Sequence, residues 1–309
     1  MGRSAFDTEK IAWIGVPSSA GARQAGQEQA PQCLRRAGLL EQLRAEGHDV
    51  VDLGDLARVS FSPDTQHPRQ QNLSRVLEVL EQVRGAVDRA IAERAWPLVV
   101  GGDCTITIGV LAALAKTFPR LGLLYLDGDV DLNTPETTHS GIFDGMVLAH
   151  ILGDGAEGLS HFGERSPLLE ERAVTLFGYS AQAGGIDPVE IERLRDTEMA
   201  KYPLEEIRGD VRAAATRALR ALESEVEHIL VHFDVDVVDV GDFPAVDVPH
   251  KPGLRLTQVQ EALDVFLASR KTVGLVVTEF NAKSDADGTL ARQLNDTIRR
   301  AIRQRRSSA

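Results

Sequence analysis

The chain has 309 residues, room for one large domain or two small ones at the usual ~100–200 residues each. Its 46 acidic residues outnumber 34 basic ones for a formal charge of −12, which argues against nucleic acid or an anionic membrane as main partner, because phosphates need clustered Lys and Arg. Hydrophobic residues make up 43% of the chain, near the globular norm of ~45–50%, and no apolar run approaches the ~20 residues of a membrane span.

Short apolar runs alternate with longer amphipathic ones. In chain order the pattern predicts a strand at Ile11–Val16, a helix at Ala30–Glu46, a strand at Asp49–Asp52 and a helix at Leu73–Glu93. Pro97–Val100 leads into the helix Thr105–Phe118, and Gly122–Leu126 precedes the helix Gly145–Leu152. Ala173–Phe177 is followed by Pro188–Leu194, and Met199–Tyr202 by Val211–Glu223. His228–Phe233 is followed by Thr257–Ala268, and Val273–Glu279 by Gly288–Gln304. Strand then helix, repeated, means right-handed βαβ units and a parallel sheet covered on both faces. An open α/β/α sandwich and a closed eight-stranded barrel both satisfy this order.

No Pro/Gly/Ser-rich linker and no fixed repeat interrupts the pattern, so residues 1–309 are expected to form a single domain. Val59–Gln71 and Asn133–Ser140 read as surface loops, and the arginine-rich end Arg299–Arg306 as a solvated helix terminus. Two cysteines, Cys33 and Cys104, cannot make a disulfide framework, which favours a reducing cytosol. The start Met1–Phe6 has no apolar signal core. A soluble, cytoplasmic protein is the expectation.

The chemistry gathers at predicted strand ends, where parallel α/β folds place their sites. One strand runs into Asp127-Gly128-Asp129-Val130-Asp131, another into Asp234-Val235-Asp236 with Asp239 beyond. A third ends in Glu279-Phe280-Asn281 and a fourth in Gly101-Gly102-Asp103-Cys104. Single strand-end aspartates are common turn and cap residues. Carboxylates at alternate positions in two D-x-D motifs, however, repel one another unless protonated or bridged by cations. Clustered oxygens suit hard divalent ions, and a shared carboxylate suits two of them. A D-x-D after an apolar strand also resembles the haloacid-dehalogenase phosphatases, but those use one copy near the N-terminus.

Together with Ile14-Gly15-Val16-Pro17 and Ala30–Leu39, these residues resemble the arginase (ureohydrolase) family. Gly101–Cys104 matches its Gly-Gly-Asp-His motif, Asp127–Asp131 its Asp-Ala-His-x-Asp, Asp234–Asp239 its Asp-x-Asp-x-x-Asp, and Glu279–Asn281 its Glu-x-Asn. The resemblance implies a three-layer α/β/α sandwich with an eight-stranded parallel sheet. It implies two divalent metal ions, Mn²⁺ foremost, with Asp127 and Asp234 bridging them. Asp131 and Cys104 would complete the first shell, Asp236 and Asp129 the second. Glu279 would receive a guanidinium, and Asn133 with Ser140 would face an α-carboxylate. The implied activity is hydrolysis of C–N bonds in linear amidines, on a guanidino or N-hydroxyguanidino amino acid, releasing urea or hydroxyurea. A homo-oligomer is expected over a monomer.

Cys104 and Asp129 stand where the family has ligand histidines, and Asp144 where arginases carry a proton-shuttling His. Cysteine at the first position, and Asn133–Thr138, are features shared with the hydroxyarginine hydrolases of this family. The loop Gly178–Gly185 does not resemble the Arg-Asp segment of arginases. Five carboxylates and a thiolate give −6 against +4 from two metals, which weakens Lewis acidity but favours a cationic substrate. Thiolate softness turns the first site toward Zn²⁺ or Fe²⁺. Asp144 can still move protons or hold a substrate group. His139 and His150 read as loop and exposed helix-face residues, His232 as a core or supporting residue, and Cys33 as packing. An agmatinase- or formimidoylglutamase-like enzyme, or an inactive binding homologue, remains the alternative.

Overall fold

The computed structural model describes Phe6, residues 10–180 and residues 186–307. Eight strands form one sheet: β1 (Lys10–Gly15), β2 (Asp49–Asp55), β3 (Trp96–Val100), β4 (Leu121–Leu126), β5 (Val174–Phe177), β6 (Ala200–Tyr202), β7 (His228–Asp234) and β8 (Thr272–Thr278). The order is β2-β1-β3-β8-β7-β4-β5-β6, and every pairing is parallel. With β2 and β6 as open edges, the sandwich is correct and the barrel is excluded.

The central strands are continuous apolar runs because both faces are covered. Leu121–Leu126 and Thr272–Thr278 are buried at every position. One helical layer pairs Leu73–Ala92 with Ile106–Thr117; Val211–Glu225, Leu256–Ala268 and Thr289–Ser307 pack together in the other. Among the described residues no helix is long and apolar enough to cross a membrane.

Three expectations change. The helix Ala30–Glu46 is two, Ala30–Arg36 and Leu39–Ala45, broken where Gly38 takes φ +86°. Its 3.6-residue apolar period continues across the break, so periodicity could not register it. The arginine-rich end is only partly solvated: the Arg305 guanidinium lies 4.1 Å from the Trp96 ring centroid, and Arg299 pairs with Glu46. Val59–Gln71 docks on the second loop instead of merely covering the surface. Arg69 Nη1 donates to the carbonyls of Pro135 (3.0 Å) and Glu136 (2.7 Å), and Gln71 Nε2 to that of Ser140 (2.8 Å). Cys33 packs half-buried against the core, as expected.

A Cβ at Gly38 would meet only Gln42 Nε2, at 3.7 Å, so the cost of adding one is conformational and not steric. Gly38→Ala is expected to destabilise the fold by about 1 kcal/mol, read as a lower urea midpoint with an unchanged slope.

Candidate metal centre

The order β3-β8-β7-β4 makes neighbours of four strand ends that are far apart in sequence. Each contributes donors to one cleft of about 660 Å³, and the residues given metal, proton-transfer or substrate roles from the sequence all line it: Cys104, Asp127, Asp129, Asp131, Asn133, Ser140, Asp144, Asp234, Asp236 and Glu279.

The two D-x-D motifs fold alike. Asp127 Oδ1 accepts the Asp129 N–H at 2.6 Å, and Asp234 Oδ1 accepts the Asp236 N–H at 2.7 Å. Each leading aspartate thereby spends one oxygen on its own turn and keeps the other for the cleft. Asp127 Oδ2 is buried without a hydrogen-bond partner, and Asp234 Oδ2 accepts from Cys104 Sγ at 2.7 Å. Asp131 and Glu279 hold φ of +48° and +65°, a conformation that costs a non-glycine residue of order 1–3 kcal/mol and clusters at functional sites. Asp131 faces the same cleft while its Oδ2 accepts from the Tyr125 hydroxyl at 2.5 Å.

Cys104 lies just before the helix Ile106–Thr117, with Sγ 3.1 Å from Thr278 Oγ1 and 3.6 Å from His232 Nε2. His232 is fully buried, its Nδ1 2.8 Å from Thr107 Oγ1 and its ring stacked on Tyr125 at 4.1 Å. Burial holds its pKa down to about 3. Asp144 accepts the Cys104 N–H at 2.7 Å and hydrogen-bonds Glu279. Glu279 Oε2 accepts from Gln27, while Oε1 is buried and unpartnered. Asn133 Oδ1 accepts from Thr137 Oγ1 at 3.0 Å, and Ser140 Oγ lies 3.3 Å from Thr138 Oγ1.

Burial, with mutual carboxylate repulsion second, pushes Asp127, Asp131, Asp234, Asp144 and Glu279 well above the carboxylate range, and Cys104 well above the thiol range. Buried like charges of this density need cations. The donors suit them: one ligand atom each from Cys104, Asp127, His232 and Asp234 lie within 4.8 Å of one another, and so do those of Asp129, Asp236 and His250.

Sequence reasoning missed His250. It is buried 3.4 Å from Asp129 Oδ2 and 3.8 Å from Asp236 Oδ2. Burial opposes a charge there, but the two carboxylates outweigh it and raise the pKa to about 11. It follows Asp236 by a loop with no regular spacing, so no local pattern announces it. Glu190 was missed likewise. It accepts the N–H groups of Leu132 (3.0 Å) and Asn133 (3.2 Å), and burial followed by Asp129 raises it to about 7. His139 is exposed, beside Asp187. His150 corrects the exposed helix-face reading: it is fully buried, with Nδ1 2.6 Å from the Met146 carbonyl and Nε2 accepting from Ala156 N at 3.1 Å. Both ring nitrogens are engaged in the core. Of the loop Gly178–Gly185, residues 181–185 lie outside the described residues.

A parallel eight-stranded sheet with paired-carboxylate clusters at its central strand ends defines a binuclear metallohydrolase class. The model of the arginase family matches residues 9–303. The arginase of Bacillus caldovelox is 31% identical over 274 residues, covering 88% of this chain and 90% of that protein, and the arginase of Bacillus subtilis is 32% identical over 256 residues, covering 82% and 84%. The structure of Bacillus cereus arginase superposes with a TM-score of 0.86 at 29% identity, covering 95% of this chain and 98% of that one. The chain belongs to the arginase family, whose members are metal-dependent hydrolases of C–N bonds in linear amidines.

The raised carboxyl groups fix the sign of a pH effect. Their unfolded pKa values are ~3.9 for Asp and ~4.3 for Glu. Above those values the metal-free native state retains protons that the unfolded chain has released, so its stability falls as pH rises toward the folded pKa values. Metal-free protein is expected to melt at progressively lower temperature as pH increases from about 4, and added Mn²⁺ is expected to remove most of that slope. A metal-free melting temperature that climbs over the same range would contradict the assignment.

Proposed function

We propose that the chain, acting as a single domain, is a binuclear-metal hydrolase of a guanidino or N-hydroxyguanidino amino acid, releasing urea or hydroxyurea. The observation that carries this reading is Glu279: a buried carboxyl with one unpartnered oxygen, in a cleft whose lining is mostly carboxylates, with Arg23 its one cationic side chain among the described residues. A guanidinium supplies both the missing hydrogen bonds and the opposite charge. Asp127 and Asp234 would lie between two divalent ions, with Cys104 and Asp131 on the first and Asp129 and Asp236 on the second.

Mn²⁺ is the metal that the family favours, with Zn²⁺ or Fe²⁺ favoured at the thiolate side. When bound, the metals supply Lewis acidity and an activated water. Glu279 would hold and orient the guanidinium in the cleft. Asn133 and Ser140 hold the α-carboxylate end and set the reach of the side chain. Water adds to the carbon, the C–N bond to the amino-acid side chain breaks, and the departing amine takes a proton. Asp144, hydrogen-bonded to Glu279 and raised in pKa by burial, would relay that proton. The enzyme is read as cytoplasmic and homo-oligomeric, the latter measurable by light scattering.

A panel of arginine, hydroxyarginine, agmatine and formimidoylglutamate, with urea and hydroxyurea detected, tests the assignment. The carboxylated guanidino compounds are expected to be turned over fastest, and a clear preference for agmatine would remove Asn133 and Ser140 from the substrate site. Glu279→Gln is expected to lower kcat/KM by about 100-fold, the loss of a charge-assisted pair worth ~2–3 kcal/mol, while metal content stays unchanged.

A further inference from the structure

Gly128 separates the two aspartates Asp127 and Asp129, and its backbone does not require glycine: it is absent from the residues with positive φ. What requires it is space. A Cβ at this position would come within 2.4 Å of His250 Cδ2 and 2.7 Å of His250 Nε2. The imidazole thus occupies the volume that any side chain at 128 would fill, directly against the second carboxylate pair. It is held there by the segment after β7. Asp239 and His250 form a parallel bridge, and Val240 N donates to the His250 carbonyl at 3.0 Å.

The ring is 4% exposed and its Nε2 has no hydrogen-bond partner. The separations of 3.4 and 3.8 Å from Asp129 Oδ2 and Asp236 Oδ2 exceed the ~2.7–2.9 Å of a charge-assisted bond to a carboxylate. They match the roughly 3–4 Å between donor atoms that share one ion at ~2.0–2.2 Å. An imidazole nitrogen and two carboxylate oxygens from three separate segments therefore converge within 4.8 Å of one another.

We propose that His250 is a ligand of the second metal, through Nε2, and that Gly128 exists to admit its ring. The inference rests on the binuclear reading above and deepens it. The site keeps an imidazole, but delivers it from the 239–250 loop, while position 129 supplies a carboxylate. The second site is then Asp129, Asp236 and His250 with the bridging aspartates, a harder donor set than the thiolate-bearing first site. A ligating Nε2 would have to be unprotonated, its lone pair directed at the ion.

Two measurements test this without reference to turnover. Equilibrium dialysis with Mn²⁺ is expected to give two ions per native chain. His250→Ala is expected to weaken one of the two sites more than tenfold and spare the other. Gly128→Ala, which leaves every donor in the sequence, is expected to do the same by evicting the ring. In the unmutated protein labelled with ¹⁵N-histidine, Zn²⁺ saturation is expected to move the Nε2 resonance of one buried imidazole, absent in His250→Ala, to a metal-coordinated position. His250→Ala retaining both ions at native affinity, or a His250 Nε2 resonance that does not move at saturation, would show His250 to be only a neighbour of Asp129. Fewer than two ions on the native chain would overturn the binuclear reading and this one together.

Discussion

Everything at this centre follows from burying like charges where they cannot repel one another into solvent. Asp127, Asp234 and Glu279 are each no more than 2% exposed, and Asp131 and Asp236 little more. A single buried carboxylate costs several kcal/mol, so the cluster is tolerable only if protonated or neutralised by cations. The sheet makes the concentration unavoidable. Because β8 and β7 insert between β3 and β4, the donor-bearing ends of four strands become adjacent along one edge.

Holding such a cluster demands a rigid frame, and the backbone provides it at a conformational cost. Glu279 reaches its positive φ with its N–H bonded to the Gly102 carbonyl at 3.1 Å, while Gly101 N bonds to that of Val277 at 2.9 Å. The β3 and β8 ends are thus locked to each other. Gly101 and Gly102, both at positive φ, leave no room for a Cβ: Pro31 stands at 2.5 Å from one and the Val16 carbonyl at 3.0 Å from the other. Asp103 takes no part in the cleft. It accepts the Gly21 N–H at 3.0 Å and so anchors the segment that brings Gln27 to Glu279. Strain at the cleft and hydrogen bonding behind it belong to one arrangement.

The sequence was informative wherever a residue's role depended on its own element. The central strands were legible to within a few residues because a strand buried on both faces must be a continuous apolar run. The D-x-D clusters were legible because alternate carboxylates at the end of such a run repel one another unless protonated or joined by a cation. What escaped depended on contacts between distant segments. Gly38 breaks a helix without disturbing its apolar period. Arg305 looks solvated until Trp96 is beneath it. His150 looks like a surface histidine until both nitrogens are seen to be engaged. His250 is invisible locally, and only Gly128, small where nothing in the backbone asks for smallness, hints that another segment arrives there.

The donor chemistry divides the centre into unlike halves, and the division bears on substrate charge. The first half holds a thiol, with Tyr125, Thr107 and His232 stacked and hydrogen-bonded beneath it. The second is oxygen and imidazole. A neutral imidazole adds no charge, so with the five candidate ligand carboxylates (Asp127, Asp129, Asp131, Asp234 and Asp236) and the Cys104 thiolate ionised, two divalent ions would leave a residual −2. A neutral amidine would leave that excess uncompensated in a low-dielectric cleft, whereas a guanidinium would lower it by one charge. On the proposed function, the same surplus that blunts the metals' Lewis acidity would favour a cationic substrate. Replacing neutral ligands by anionic ones shifts the balance from activating water toward holding a charged guanidino group.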